Sequence, residues 1–287
     1  MVNSQWRDRV QRALMRATLS PVLKAWGRLQ SRTYDINNTL LVASSPRGGS
    51  TWLAEILGSL PGYPILFEPL NRSRNPNCQR YGLPNFYIDE TQDCQPYQTY
   101  FRQVFRGENL SARLVLLEEF RLSQYRHFRG YIVKFIRLNP ILPWVLGQFP
   151  LRAVLLLRHP CATVASQLHH PYWSFIHERG DFAAWLETPL AFQRAEPLLQ
   201  RHPHLRRVSQ QIRTPEAWLA FHWAIENYFP LSQPQPHPWQ LVIYERLVRD
   251  GPAEIRRLFG ALGEPVPPGG LPALADSQHH RPGQLWH

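Results

Sequence analysis

TLLVASSPRGGSTW, residues 39–52, decides how this chain is read. Its first five residues, 39–43, are an apolar run with β-branched Thr39 and Val42, as a short buried strand requires. Small, turn-forming residues follow, and helical spacing starts near Thr51. A strand, loop and helix in this order aim the loop's backbone N–H groups and the positive end of the helix dipole at one point, which stabilises an anion there. Gly48 and Gly49 allow close backbone approach, Ser50 and Thr51 supply hydroxyl donors, and Arg47 adds a guanidinium fork. Each residue alone also suits an ordinary capped turn; their conjunction after a strand is what points to an anion-binding loop.

Outward from this unit, apolar runs at 63–67, 131–136, 153–157 and 241–244 read as further strands, the middle two central. Helical patterns follow Thr51, resume up to about Tyr125, surround Trp144, follow Arg158 and cover 216–228 and 253–262. This alternation predicts an α/β chain: a P-loop-like three-layer fold whose central parallel sheet carries helices on both faces. Ligands of such sheets bind beyond the strands' carboxyl ends, so function is expected just after Ala43, Phe67, Ile136 and Leu157. Residues 31–287 read as a single domain behind a helical arm, 1–30. Residues 71–97 have no usable period and read as a long surface excursion; together with 168–211 they are expected to be acceptor-side insertions.

In the arm, Trp6, Val10, Leu14, Val22 and Trp26 recur near helical spacing and are expected to pack on the domain, with Ser20-Pro21 restarting the helix. Its basic residues, Arg7, Arg9, Arg12, Arg16, Lys24 and Arg28 against Asp8, also suit peripheral contact with a membrane surface. No stretch approaches the roughly 18 apolar residues of a membrane span. No uninterrupted apolar core of a secretory signal is present either, so a soluble, cytoplasmic protein is expected.

The 287 residues, 44% of them apolar, suffice for a real core, and a formal charge of +11 favours an anionic ligand or partner. Cys78, Cys94 and Cys161 form neither a disulfide scaffold nor a C-x-x-C metal site, although Cys78 and Cys94 share one irregular segment and are candidates to pair in an oxidising compartment. The loop lacks the G-x-x-x-x-G-K-S/T of nucleoside triphosphatases and kinases: Ser44 replaces the first glycine and Ser50 the lysine.

From Pro46 to Trp52 the loop instead resembles the 5′-phosphosulfate loop of the sulfotransferase family, in which proline and a cation precede glycine, two hydroxyl residues and Trp or Leu. That family's second signature, an arginine at a strand end with a serine eight positions on, matches Arg158 and Ser166, with His159 in place of the more frequent aspartate. The resemblance implies that both bind the 3′-phosphate, the arginine as a bidentate clamp. Residues 241–247, LVIYERL, resemble a late Y-E-D-L turn; Tyr244 suits either nucleotide contact or simple packing.

The resemblance therefore implies 3′-phosphoadenosine 5′-phosphosulfate as donor and 3′-phosphoadenosine 5′-phosphate (PAP) as product, with no metal. The acceptor is expected to be a small molecule, glycan or lipid, and not a nucleic acid. The nucleotide set is Arg47, Gly48, Gly49, Ser50, Thr51, Trp52, Arg158, Ser166 and Tyr244. Sulfuryl transfer needs a base and cations at the leaving group. Glu68, 21 residues after Arg47, resembles the catalytic glutamate of tyrosylprotein sulfotransferases, and F-E-P-L the matching segment of carbohydrate sulfotransferases. Lys134, 24 residues before Arg158 and one of only two lysines with Lys24, resembles the catalytic lysine of the former. His169 and His170 are the histidines nearest the nucleotide motif. Tyr81, Phe86, Tyr87, Tyr97, Tyr172, Trp173 and Phe175 suggest an aromatic lid over the acceptor. The competing readings are a kinase-like phosphotransferase and a non-catalytic basic protein that holds polyanions.

Overall fold

The structure is a computed structural model that describes residues 2–83, 87–88, 93–115, 120–178, 182–188, 191–193 and 195–267. Its centre is a five-stranded, all-parallel sheet in the order β2-β3-β1-β4-β5. The strands are β1 (Leu40–Ser44), β2 (Ile65–Phe67), β3 (Ile132–Phe135), β4 (Arg152–Leu157) and β5 (Trp239–Ile243). β1 is buried along its whole length, which explains why its residues are apolar without alternation.

Strand parity divides the core into two layers. Leu41, Ala43, Val133, Phe135, Ala153 and Leu155 face one side. There they pack on α1 (Val2–Gln30), α4 (Gln95–Phe105) and α6 (Leu142–Gln148), through residues such as Leu23, Phe101 and Val145. Leu40, Val42, Ile132, Val154, Leu156 and Val242 face the other, against α2 (Ser50–Leu57) and α14 (Gly251–Ala261). Helices on both faces of a parallel sheet are the three-layer, P-loop-like architecture expected from the sequence.

Between these lie α3 (Asn77–Arg80), α5 (Leu122–Arg126) and α7 (Pro160–Leu168), followed by α8 (Phe175–Glu178), α9 (Phe182–Leu186), α10 (Glu196–Arg201) and α11 (Pro203–Ser209). Then come α12 (Pro215–Ser232) and, after β5, α13 (Tyr244–Arg249). Leu198, Leu199, Phe221 and Ile225 build a satellite core, so much of 168–211 packs against α12. Among the described residues no helix is long and apolar enough to cross a membrane.

Three details differ from the sequence reading. α1 runs unbroken through Pro21, and Ser20 does not restart it; its side chain accepts a hydrogen bond from Ala112 N at 3.2 Å. The packed face of α1 is Leu19, Leu23 and Trp26, whereas Val10, Leu14 and Val22 are exposed; the side chain of Trp6 lies outside the described residues. Residues 71–83 are not all surface: Arg72, Ser73, Gln79 and Arg80 are exposed, but Asn75, Cys78 and Leu83 are buried and Asn75 donates to the buried Tyr100 hydroxyl at 3.1 Å. Cys78 and Cys94 are both free thiols.

Candidate active site

In a parallel sheet the binding crevice opens where adjacent strands send their connections to opposite sides. Here those strands are β1, which leads towards β2, and β4, which leads to β5. The loop after β1 and the turn after β4 therefore meet. Arg158 Nη1 donates to the Arg47 carbonyl at 3.0 Å, Arg47 Nε to Ser166 Oγ at 3.1 Å, and Gln167 Nε2 to the Pro46 carbonyl at 3.0 Å. Two sequence motifs more than 100 residues apart thus form one unit.

The glycines are dictated by this packing. A Cβ on Gly48 would lie 2.2 Å from Ser44 Oγ. Gly49 caps α2 at φ 92°, where a Cβ would meet the Tyr244 ring at 2.5 Å. Tyr244 opens α13 and does not end β5; its ring stands edge-on to Trp52 at 5.7 Å, and the Arg158 guanidinium lies 4.7 Å from the ring centroid. Asn227, buried in α12, steadies the loop from below, donating to Ser45 Oγ at 3.0 Å and accepting from Asn139 Nδ2 at 2.9 Å. A buried asparagine on an otherwise apolar helical face was the sequence signal for this contact, and sequence reasoning missed it.

Beside the loop, Glu68 and Lys134 form a buried ion pair, Nζ to Oε1 2.6 Å, with side chains 2% and 3% exposed respectively. Sequence reasoning named both and did not pair them. β2 and β3 run in register with Phe67 opposite Lys134, and the Glu68 N–H extends the ladder to the Lys134 carbonyl at 2.8 Å. Asn71 Nδ2 donates to Glu68 Oε2 at 3.1 Å, and the Phe67 ring sits 4.0 Å from the ammonium. Burial works to raise the Glu68 carboxyl, but the Lys134 charge and hydrogen bond, with Asn71, outweigh it and hold Glu68 below the usual carboxylate range. Burial, opposed by Glu68 and reinforced by Arg74 and Arg137, holds the Lys134 ammonium below the ordinary lysine range.

Among the described residues only Arg47 (φ 66°) and Glu68 (φ 52°) are non-glycine residues at positive φ. Backbone strain of this kind costs about 1–3 kcal/mol and concentrates at functional sites. Both residues line one cavity of about 940 Å³, which also receives Gly49, Ser50, Thr51, Trp52, Lys134, Arg158 and Tyr244. Gly48 and Ser166 are not on its wall and act from behind it. Burial and the neighbouring Arg158 depress the Arg47 guanidinium, so the two cations face each other at an energetic cost that a bound anion relieves. His170 lines the cavity, with its imidazole lowered by burial and by Arg47, whereas His169 does not line it.

Of the suggested aromatic lid, Tyr172 and Trp173 line the cavity. Tyr81 and Tyr97 pack on the main core, Tyr87 faces Phe229 and Arg201, Phe175 joins a separate aromatic cluster, and Phe86 lies outside the described residues. The lid is therefore narrower than the composition suggested, because most of these rings are held by core contacts.

Fold and site together define an α/β chain of the P-loop-like class with a cavity at the carboxyl edge of its sheet, lined by Arg47, Lys134 and Arg158. No family model matches the sequence, and no curated protein matches it. Among solved structures the chain is similar to a sulfotransferase domain from the curacin biosynthetic pathway, with 18% identity over 80% of this chain and 75% of that one and a TM-score of 0.40. It is also similar to a sulfotransferase domain from the Synechococcus olefin synthase (19% identity, 82% of this chain and 76% of that, TM-score 0.41). A third is a mouse sulfotransferase complexed with PAP (14%, 86% and 66%, TM-score 0.40).

Proposed function

We propose that the chain is a sulfotransferase that uses 3′-phosphoadenosine 5′-phosphosulfate and an acceptor hydroxyl. The observation that carries this reading is the convergence of strained Arg47, strained Glu68 and Lys134 on one cavity with the linked loop and turn. The residues fit the nucleotide. Gly49, Ser50 and Thr51 bring the N-terminus of α2 to the cavity wall, and among the described residues the buried Arg158 Nε has no hydrogen-bond partner. Arg47 with the α2 N-terminus would hold the 5′-phosphosulfate and Arg158 the 3′-phosphate.

The donor, when bound, supplies a sulfuryl group whose bond to the 5′-phosphate breaks as the acceptor oxygen bonds to sulfur, the electron pair leaving on the phosphate. Glu68, ionised at neutral pH, takes the acceptor's hydroxyl proton. Lys134 donates hydrogen bonds where charge grows on the leaving oxygen, and a compact ammonium released from one carboxylate contact can follow that charge. Arg47 stabilises the transferring group. The pair thus holds base and cation 2.6 Å apart until substrates enter between or beside them.

Calorimetric titration with PAP and with ATP tests the donor assignment. PAP is expected to bind at least ten-fold more tightly than ATP without Mg²⁺, as about 1.4 kcal/mol of 3′-phosphate recognition requires. Equal binding of the two would refute it.

A further inference from the structure

The cavity holds more positive charge than the proposed donor uses. Among the described residues, eight cationic side chains line it, Arg16, Arg47, Arg72, Arg74, Arg113, Lys134, Arg137 and Arg158, against one carboxylate, Glu68. The donor's phosphate and phosphosulfate groups bring about four negative charges. Arg47 and Arg158 belong to the nucleotide motifs and Lys134 to the ion pair. Arg16, Arg72, Arg113 and Arg137 belong to none of them, and among the described residues none of these four lies in an ion pair.

Several contacts fix this second group in place. Arg72 sits in the turn after Glu68, closed by Asn75 N donating to the Asn71 carbonyl at 2.8 Å. Arg74 Nη1 donates to the Arg113 carbonyl at 3.2 Å and its guanidinium stacks 4.6 Å from the Phe67 ring. α1 is fastened beside Arg113 through Ser20 and Ala112, which brings Ala13, Arg16 and Ala17 to the cavity wall. Arg137 follows β3, near enough to act electrostatically on both Glu68 and Lys134. Among the described residues its buried Nη1 has no hydrogen-bond partner, and its Nη2 reaches the Tyr172 hydroxyl at 3.5 Å. Like charges gathered round one concave surface repel, and low-dielectric walls strengthen that repulsion unless an anion occupies the space.

We infer that the acceptor is itself an anion: a hydroxyl compound bearing a carboxylate, phosphate or sulfate group that Arg16, Arg72, Arg113 and Arg137 hold while its hydroxyl faces Glu68. This rests on the transferase reading of the cavity. It also gives α1 a part in substrate binding, because Arg16 and Ser20 reach the cavity from it.

The test uses the full chain and inorganic pyrophosphate as probe. A first titration measures PAP binding; a second adds pyrophosphate to protein saturated with PAP. One further anion is expected to bind, and Arg72→Gln with Arg113→Gln should weaken it about ten-fold or more, as loss of two charge-assisted contacts implies, with PAP affinity changed no more than about two-fold. Arg72 and Arg113 are exposed at the cavity, so both substitutions leave the core intact. Competition by glucuronate, glucose 6-phosphate and glucose 6-sulfate, with glucose as the neutral control, then distinguishes carboxylate, phosphate and sulfate as the anionic group. Pyrophosphate that merely displaces PAP, binding that survives the double substitution, or displacement by glucose as effective as by its acidic derivatives would each overturn the inference. Failure of the first titration would instead sink the donor assignment, and pyrophosphate binding to the variant would still read the second cluster.

Discussion

Replacing Lys134 with methionine keeps a long, flexible side chain and removes the ammonium 2.6 Å from Glu68 Oε1. Glu68 is then a carboxylate 2% exposed, with Asn71 as its remaining hydrogen-bond donor. Breaking a buried pair by removing one partner costs about 3–5 kcal/mol, and Arg137, which also acts on Glu68, places the expected loss near the lower end of that range. The stranded carboxyl's folded pKa should rise above its unfolded value, so the Lys134→Met penalty is full above the raised folded pKa, is relieved as pH falls through it and is gone below the unfolded value. Adding Glu68→Gln removes the stranded charge, and the double variant should return to within about 1 kcal/mol of the parent, because a well-packed neutral pair costs little. Urea denaturation of the four proteins in the cycle, with the slope unchanged, measures this coupling. Turnover should separate from stability: Lys134→Met should lose about 10²-fold, as for removal of one transition-state donor, and the stable double variant should not regain it. A Lys134→Met protein less than about 1 kcal/mol destabilised, or a double variant with parental turnover, would refute the reasoning.

Other substitutions probe the same site. Arg47→Ala should abolish transfer and Arg158→Ala should chiefly weaken donor binding, a separation that steady-state kinetics at varied donor would show. Because Lys134 and Asn71 overcome the effect of burial and hold Glu68 below its ordinary value of 4.5, the acid limb of the pH–rate profile should lie below that pH, and Glu68→Gln should remove it with PAP affinity intact; a limb centred near neutrality would contradict the assignment. Lys134 lies below its ordinary 10.5, so the alkaline limb should begin before that of an exposed lysine. Gly49→Ala combines a φ of 92° with a Cβ 2.5 Å from the Tyr244 ring; calorimetric PAP titration should show binding weakened by at least about ten-fold, with the paired variant Tyr244→Ala relieving the clash while the strained backbone remains.

The architecture was legible in the sequence because parallel strands buried on both faces leave unbroken apolar runs. Residues 39–43, 131–136 and 153–157 mark β1, β3 and β4 to within a residue or two. The anion loop was legible for a related reason: glycine and hydroxyl residues between a strand and a helix answer a local backbone requirement, so their signal lies within a few neighbouring positions. Arg158, Ser166, Glu68 and Lys134 were found through spacing that resembles a family's, which names residues without stating their contacts. That Glu68 and Lys134 neutralise each other, that Arg47 leans on Ser166, and that Asn227 supports the loop depend on strand order β2-β3-β1-β4-β5 and on the register of Phe67 with Lys134. The sequence also offered Val10, Leu14 and Val22 as a packing face that tertiary contacts did not use, since the helix presents Leu19, Leu23 and Trp26 to the core. Charge shows the same division. Composition determined that the chain is basic, but only the fold gathered arginines from α1, from the turns after β2 and β3 and from the segment before residue 114 around one cavity, because long-range electrostatic focusing depends on where side chains converge in space and leaves no periodic trace along the chain.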